Sequence, residues 1–211
     1  MSAVKVKICG MTRQADVAVA IDAGADALGF VFARGGPRCL SAGLAAALCE
    51  QVPAFVSRVG LFLDQERDYV ESVLGQVPLN LLQFHGQEDA AYCRQFGRPY
   101  IKAVNLDSNR AISVAEAAFP DACAILVDSH ETGGQGGTGR TLDWQVVKPG
   151  KRPLILAGGL TAANVAQAIR LVRPWAVDVS SGVESRPGMK DADAIRKFIA
   201  AAKQVEAESE S

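Results

Sequence analysis

The strongest constraint on the fold is a regular alternation of short apolar runs with helix-like stretches. Eight such runs occur, each rich in β-branched or aliphatic residues. Because the runs are almost continuously apolar, they are typical of parallel strands buried on both faces. Eight strand–helix units favour a closed single-domain (β/α)8 TIM barrel of the α/β class over an open doubly wound sheet, which usually has about five or six strands. The predicted strands cover residues 4–9, 27–32, 58–63, 81–85, 101–105, 124–128, 154–157 and 177–179.

The intervals between these runs show helical spacing of apolar residues. Thr12, Ser41 and Asp191 stand where side chains are expected to cap helices, and Gly24 stands where a helix is expected to end. The last residues, 206–211, are acidic and polar and are predicted to be a disordered tail, so the barrel domain is assigned to residues 1–205. The predicted helices cover residues 12–23, 41–51, 65–74, 88–96, 108–119, 161–172 and 191–205, with little more than a turn at 142–147.

Composition excludes several classes of function. The net charge is −1 and the basic residues are scattered, which argues against binding a nucleic-acid backbone. No apolar run approaches the length of a membrane span, and the amino terminus alternates valine and lysine like a strand rather than a signal peptide. The five cysteines show no CxxC spacing, so a disulfide scaffold or zinc site is not expected and a reducing cytoplasm is the predicted setting.

In a (β/α)8 barrel the active site lies at the carboxyl ends of the strands. Several polar or glycine residues fall at these positions, and two of the loops that follow are long. The loop after strand 6 contains Gly136, Gly137, Thr138 and Gly139, and it is predicted to be a mobile lid. The residues at the strand ends are Cys9, Arg38, Asp64, Gln83, His85, Asn105, Asp128, Gly158, Gly159, Asp178, Ser180, Ser181 and Gly182.

Two small-residue segments after strands 7 and 8 predict a phosphate site. Loops at these positions usually hold phosphate in this fold, through backbone N–H groups and a helix amino terminus. The alternative for the glycine pair is a tight strand–helix turn without a ligand. The segments are Gly158-Gly159, before a helix expected to open at Thr161, and Ser180-Ser181-Gly182.

Cys9 and Asp128 are the candidates for acid–base chemistry, because strands 1 and 6 reach the same mouth from different sides. A thiolate can act as a base and a protonated carboxyl group as an acid. The alternatives are a buried structural cysteine and a loop-capping aspartate. Arg38 can fork onto a substrate carboxylate or be a surface residue, and His85 can bind substrate or be a core histidine. With two histidines and no ligand cluster, no metal is expected.

These residues occur in motifs, and the ordered set from about residue 4 to residue 198 resembles the phosphoribosylanthranilate isomerases of tryptophan biosynthesis. The double glycine alone is common among phosphate-binding barrels, whereas the combination of motifs is specific to this family. Before Pro37-Arg38 the chain has Gly36 where many members have serine. The motifs are Lys7-Ile8-Cys9-Gly10-Met11-Thr12, Gly29-Phe30-Val31-Phe32, Gln83-Phe84-His85-Gly86, Gly136-Gly137-Thr138-Gly139, Ala157-Gly158-Gly159-Leu160 and Asp178-Val179-Ser180-Ser181-Gly182.

The resemblance implies a cofactor-free Amadori rearrangement of N-(5-phosphoribosyl)anthranilate to 1-(2-carboxyphenylamino)-1-deoxyribulose 5-phosphate. It implies that Cys9 is the general base and Asp128 the general acid, and that Arg38 lies at the anthranilate end of the substrate. Gln83, His85 and Asp178 are expected to bind substrate as well, with Asp178 near the ribose hydroxyls. Members of the family occur as monomers and as homodimers.

Three rivals remain open at the level of sequence. An indole-glycerol-phosphate synthase would need a catalytic lysine and two glutamates at strand ends, and Lys102 is the only clear lysine within a predicted strand. A ribulose-phosphate epimerase would need more metal-ligating histidine and aspartate residues. A non-catalytic sugar-phosphate sensor would bind the substrate without turning it over.

Overall fold

Eight parallel strands close into a barrel in which each strand pairs with the next along the chain and the last pairs with the first. The computed structural model describes residues 4–105, 112–128, 144 and 147–207. The predicted (β/α)8 architecture is thus confirmed, and each strand lies within about one residue of its predicted bounds. The barrel strands are β1 Lys5–Cys9, β2 Ala27–Val31, β3 Ser57–Phe62, β4 Leu81–Phe84, β5 Tyr100–Asn105, β6 Ala124–Asp128, β7 Leu154–Leu156 and β8 Ala176–Val179.

Seven α-helices are described around this barrel, and their starts differ most from prediction. Ser41 and Asp191 cap their helices as predicted, accepting hydrogen bonds from Leu44 N at 3.3 Å and Ala194 N at 2.8 Å. Thr12 does not cap, because the helix begins later, at Gln14, with Arg13 at the N-cap position; the Thr12 hydroxyl donates to the Gly188 carbonyl. None of the described helices is long and apolar enough to cross a bilayer. The helices are α1 Gln14–Asp22, α2 Ala42–Cys49, α3 Arg67–Leu74, α4 Ala90–Arg94, α5 Ile112–Ala118, α6 Val165–Val172 and α7 Ala192–Ala207.

Alternation along the strands separates two apolar layers. The smaller layer fills the barrel interior and includes Val59, Ile101, Leu126 and Ile155. The larger one lies between the strands and the helices, and it contains the apolar residues that alternate with the inward-facing ones along each strand. A polar side chain on a strand therefore faces either the barrel axis or the helix layer, and its position along the chain decides which.

A short antiparallel hairpin after β8 was not predicted from the sequence. It consists of β9 Glu184–Arg186 and β10 Met189–Lys190. Arg13 Nη2 donates to the Lys190 carbonyl at 2.8 Å, which ties the hairpin to the segment after β1. These contacts bring Glu184 and Lys190 to the carboxyl-terminal mouth of the barrel.

Several predicted features fall partly or wholly beyond the described residues, among them the start of the helix predicted over 108–119 and most of the turn predicted at 142–147. The predicted lid, Gly136, Gly137, Thr138 and Gly139, lies outside them. Helix α7 runs to Ala207, two residues into the segment expected to be a tail, and residues 208–211 lie outside the described part of the chain.

Candidate active site

A pocket opens at the carboxyl-terminal mouth, and the loops after β7 and β8 form one side of it. A short 3-10 turn, Ser181–Val183, packs against the loop after β7 so closely that a Cβ on Gly182 would lie 1.9 Å from the Leu160 carbonyl oxygen. The residues that line the pocket are Arg38, Asp128, Ala157, Gly158, Gly159, Leu160, Asp178, Val179, Ser180, Ser181 and Gly182.

The helix expected to open at Thr161 begins later. Residues 161–164 form a turn in which Asn164 Oδ1 accepts from Thr161 N at 2.8 Å, and α6 starts at Val165. The first turn of α6 is therefore displaced from the glycine pair by this extra turn. An anion in the pocket would meet the backbone of the two loops rather than the first turn of that helix.

Cys9 lies at the end of β1 and is 5% exposed. Burial raises the pKa of its thiol, and the Lys7 ammonium is the strongest influence in the opposite direction. The Arg38 side chain crosses the backbone directly after Cys9, since a Cβ on Gly10 would lie 2.6 Å from Arg38 Cδ. Cys9 is thus a buried thiol in a strongly charged surrounding.

Asp178 was expected near the substrate's ribose, and it lines the pocket as that expectation requires. Both of its carboxylate oxygens also accept hydrogen bonds from Lys7 Nζ, each at 2.9 Å. Burial alone would lower the pKa of Lys7, but Asp178 and Cys9 outweigh it and raise that pKa. The sequence did not single out Lys7, because alternation of valine and lysine is also typical of a half-exposed strand.

Asp128, His85 and Gln83 form a polar chain across the barrel interior. His85 Nε2 lies 3.4 Å from Asp128 Oδ2, and Gln83 Nε2 lies 3.0 Å from His85 Nδ1. With the Gln83 amide donating to Nδ1, the proton of a neutral imidazole sits on Nε2 and points toward Asp128. Gln83 is fully buried. The three residues predicted separately at the ends of strands 4 and 6 are therefore brought together.

Arg38 is held at the mouth by a carboxylate that the sequence did not reveal as part of a site. Its Nε and Nη2 contact the two oxygens of Glu184 at 2.8 and 2.7 Å. Lys190 Nζ also donates to Glu184, at 2.8 Å, and to the Ser180 carbonyl at 3.0 Å. Burial would raise the pKa of Glu184, but Arg38 and Lys190 outweigh it and lower that pKa. Burial lowers the pKa of Lys190 despite this partner.

Asp64 and Lys102 lie elsewhere. Asp64 Oδ1 accepts from Gln87 N at 2.6 Å within a loop–loop contact. Lys102 faces the helix layer, where its Nζ pairs with Glu88 at 2.9 Å and lies 5.5 Å from the centre of the Phe119 ring. The lysine that the synthase alternative would require is therefore on the wrong side of the sheet to reach the pocket.

This chain is similar to known proteins of one enzyme family along most of its length. Residues 6–201 match the family model for N-(5'-phosphoribosyl)anthranilate (PRA) isomerase. The chain is 52% identical over 202 residues to N-(5'-phosphoribosyl)anthranilate isomerase of Thiobacillus denitrificans, which covers 95% of this chain and 98% of the relative.

Solved structures of phosphoribosyl anthranilate isomerases also superpose on this chain over most of its length. The phosphoribosyl anthranilate isomerase of Thermotoga maritima superposes with a TM-score of 0.87 at 41% identity, covering 95% of this chain and 99% of the other. A phosphoribosyl anthranilate isomerase in complex with reduced 1-(o-carboxyphenylamino)-1-deoxyribulose 5-phosphate superposes with a TM-score of 0.82 at 38% identity, with the same coverage.

Proposed function

The chain belongs to the N-(5'-phosphoribosyl)anthranilate isomerase family, and we propose that Cys9 is the general base and Asp128 the general acid of its reaction. It is the isomerase of tryptophan biosynthesis that converts N-(5-phosphoribosyl)anthranilate to 1-(2-carboxyphenylamino)-1-deoxyribulose 5-phosphate. The observation that carries the assignment is that Asp128, Arg38 and the two small-residue loops line one pocket, and that the Arg38 side chain crosses the backbone at Gly10, directly after Cys9.

The two small-residue loops would hold the phosphate. Backbone N–H groups of the glycine pair and of the turn at Ser181 provide neutral donors, and Lys190 adds positive charge beside Ser180. This anchor places the ribose toward the centre of the mouth. The anchor itself does not distinguish one sugar-phosphate reaction from another.

Asp128 would begin the reaction by protonating the furanose ring oxygen. The bond between this oxygen and C1 breaks, the nitrogen lone pair forms the C1=N bond, and the product is an open-chain iminium. His85 and Gln83 support the carboxyl group from the barrel interior. Asp128 must carry a proton for this step, so the enzyme needs one group protonated and another ionised at the same pH.

Cys9 would then remove the proton from C2 as a thiolate. The C–H electron pair forms a C1=C2 bond and the iminium π pair returns to nitrogen, which gives an enolamine. This enolamine tautomerises to the ketone when a proton is added at C1 and the C2 hydroxyl loses one. The iminium is the electron sink, so the rearrangement is redox-neutral overall and requires no external oxidant.

Arg38 would contact the carboxylate of the anthranilate ring. A guanidinium has five N–H donors, and two of them are occupied by Glu184 in this structure. Among the described residues no other group accepts from this guanidinium, so its remaining donors can contact a second carboxylate. Glu184 therefore fixes the plane of the guanidinium before substrate binds, which reduces the ordering cost of recognition.

Replacement of the two catalytic candidates tests the assignment directly. Cys9→Ala and Asp128→Asn should each lower kcat by on the order of 10²–10⁴ or more, with substrate affinity changed only a few-fold. The fluorescence change of phosphoribosylanthranilate measures turnover. Cys93→Ala, at a buried thiol outside the pocket, and Asp121→Asn, at an exposed carboxylate, are the matched controls. Wild-type turnover in either candidate variant would reject its role.

The same assay separates the isomerase from the remaining alternatives. A sugar-phosphate sensor would bind phosphoribosylanthranilate without a fluorescence change over time.

We propose a reaction without metal, so turnover should survive EDTA. A loss of turnover that added metal restores would contradict this proposal. The small-molecule substrate and the five free thiols support a reducing cytoplasm as the proposed location. Monomer and homodimer both remain compatible with this site.

A further inference from the structure

Lys7 is a buried charged residue that the proposed mechanism does not use. It precedes Cys9 by two positions on β1, so both side chains lie on the face of the strand that points into the barrel. Lys7 is 4% exposed. Burying an ammonium is costly even when it is paired, because the attraction of one carboxylate rarely repays the lost hydration by a wide margin. Packing alone does not explain a lysine at this position.

Among the described residues, the oxygen atoms that accept from the Lys7 ammonium all belong to Asp178. Two N–H groups point to this carboxylate. An ammonium has three donors. The neighbouring group on the same face of β1 is the Cys9 thiol, and Cys9 is among the groups that raise the pKa of Lys7.

We propose that Lys7, held in place by Asp178, is a positioning residue that stabilises the thiolate form of Cys9. The attraction between the Lys7 ammonium and a Cys9 thiolate is strong inside the barrel, because little water is present there to screen the two charges. Asp178 orients the ammonium and keeps it protonated. The pair would thus make a buried cysteine usable as a base.

Other charged groups around Cys9 have partners of their own. Electrostatic interactions that shift a pKa connect Cys9 with Asp178 on β8, Lys190 on β10 and Arg38 after β2. Arg38 and Lys190 both pair with Glu184. Among the cations Lys7 has the largest effect on Cys9, and that effect exceeds the opposing one of Asp178. Removing Lys7 should therefore change the pKa of the Cys9 thiol more than removing Asp178, Lys190 or Arg38.

This inference rests on the proposed role of Cys9, but its test does not require turnover. Iodoacetamide alkylates thiolates, and mass spectrometry of the Cys9 peptide reports this site alone. In Lys7→Met the rate of Cys9 alkylation at pH 7.5 should fall by about tenfold or more, and the midpoint of its pH profile should rise. The rate plateau at high pH reports access to the thiol, so a change in access is recognised separately.

Lys5→Met is the matched control, because Lys5 lies on the same strand but pairs with Asp26 at 3.2 Å and is half-exposed. It should leave the alkylation profile unchanged. If Lys7→Met does not fold, the double variant Lys7→Met/Asp178→Asn removes both charges of the pair, so that neither partner is left alone. That variant should shift the midpoint in the same direction by a smaller amount, since the effect of Lys7 exceeds that of Asp178.

A profile within twofold of wild type in Lys7→Met, or a midpoint that does not rise in the double variant, would overturn the proposal. Failure of the proposed function has a different signature, namely normal turnover in Cys9→Ala. A thiolate-stabilising role also predicts that Lys7→Met regains part of its kcat as pH rises, whereas a purely structural role for Lys7 would reduce kcat equally at every pH.

Discussion

Two of the buried lysine–carboxylate pairs among the described residues, Lys7–Asp178 and Lys102–Glu88, have the same length and opposite surroundings. Lys7–Asp178 and Lys102–Glu88 both span 2.9 Å between side chains that are almost fully buried. Lys7 faces the barrel interior, whereas Lys102 faces the helix layer. The difference lies in what else each pair contacts, and it indicates which pair supports structure and which supports chemistry.

The Lys102–Glu88 pair is saturated by backbone groups. Lys102 Nζ donates to the carbonyls of Gly86 and Phe84 at 2.6 and 3.4 Å. Glu88 accepts from Asp64 N and Gly86 N, each at 2.8 Å. The pair therefore joins the loops after β3 and β4 to β5. Lys7 and Asp178 have no comparable backbone bonds among the described residues, and they lie beside the reactive thiol and the pocket.

Loss of the saturated pair should give the largest effect, and it should be an effect on stability. Lys102→Met leaves a buried carboxylate without its cation, which costs about 3–5 kcal/mol. Denaturant titration should show that loss in the free energy of unfolding. The kcat of the folded enzyme should stay within a few-fold of wild type. A Lys102→Met variant of normal stability, or one with a hundredfold loss of kcat, would show that the Lys102–Glu88 pair is not a purely structural one.

Loss of the catalytic-side pair should appear in the rate, in addition to the stability cost of leaving the buried Asp178 carboxylate without its cation. Lys7→Met should lower kcat at neutral pH about a hundredfold, equivalent to about 2.7 kcal/mol of activation free energy. Steady-state kinetics on protein corrected for its folded fraction measures this. A loss of stability without a loss of kcat would place Lys7 in the same structural class as Lys102.

Glu184 tests whether the ion pairs at the mouth also contribute to stability. Its pKa is lowered in the folded state, so its contribution is present above the ordinary carboxyl pKa of 4.5 and is lost as pH falls through the folded value. Glu184→Gln should be less stable than wild type by about 1–2 kcal/mol at pH 7. Urea unfolding at pH 7 and pH 4 should show that the difference in free energy of unfolding between wild type and Glu184→Gln is smaller at pH 4. A difference that grows on acidification would contradict the lowered pKa of Glu184.

The exposed pair on β1 should give the smallest effect. Lys5 is 44% exposed, and Asp26 keeps further contacts with Val6 N and Lys203. Lys5→Met should therefore change the free energy of unfolding by less than about 1 kcal/mol and leave kcat unaltered. Thermal unfolding together with the turnover assay measures both. An effect as large as that of Lys7→Met would mean that net charge on β1, rather than the buried geometry, is what matters.

Much of the barrel follows from local pattern. Each strand run is apolar enough to be buried on both faces, and the interval between runs suits a crossover helix, so order and number of strands could be read directly. The capping roles of Ser41 and Asp191 were also predictable, since a side-chain oxygen before a helix acts within three residues. Thr12 failed as a cap because α1 begins later, at Gln14, while the Thr12 hydroxyl donates to the distant Gly188 carbonyl.

The sequence by itself therefore determined the strand ends, and with them the placement of Cys9, Asp128 and the phosphate-type loops at one mouth. Closure of eight parallel strands in order permits no other arrangement of their carboxyl ends. Only the tertiary structure decided which charges meet. Lys7 and Asp178 are 171 residues apart, and their contact depends on the register between β1 and β8 and on both side chains facing inward. The same is true of Arg38 and Glu184, because a hairpin absent from the local pattern supplies the carboxylate. Pairings of this kind depend on distances that no short segment encodes.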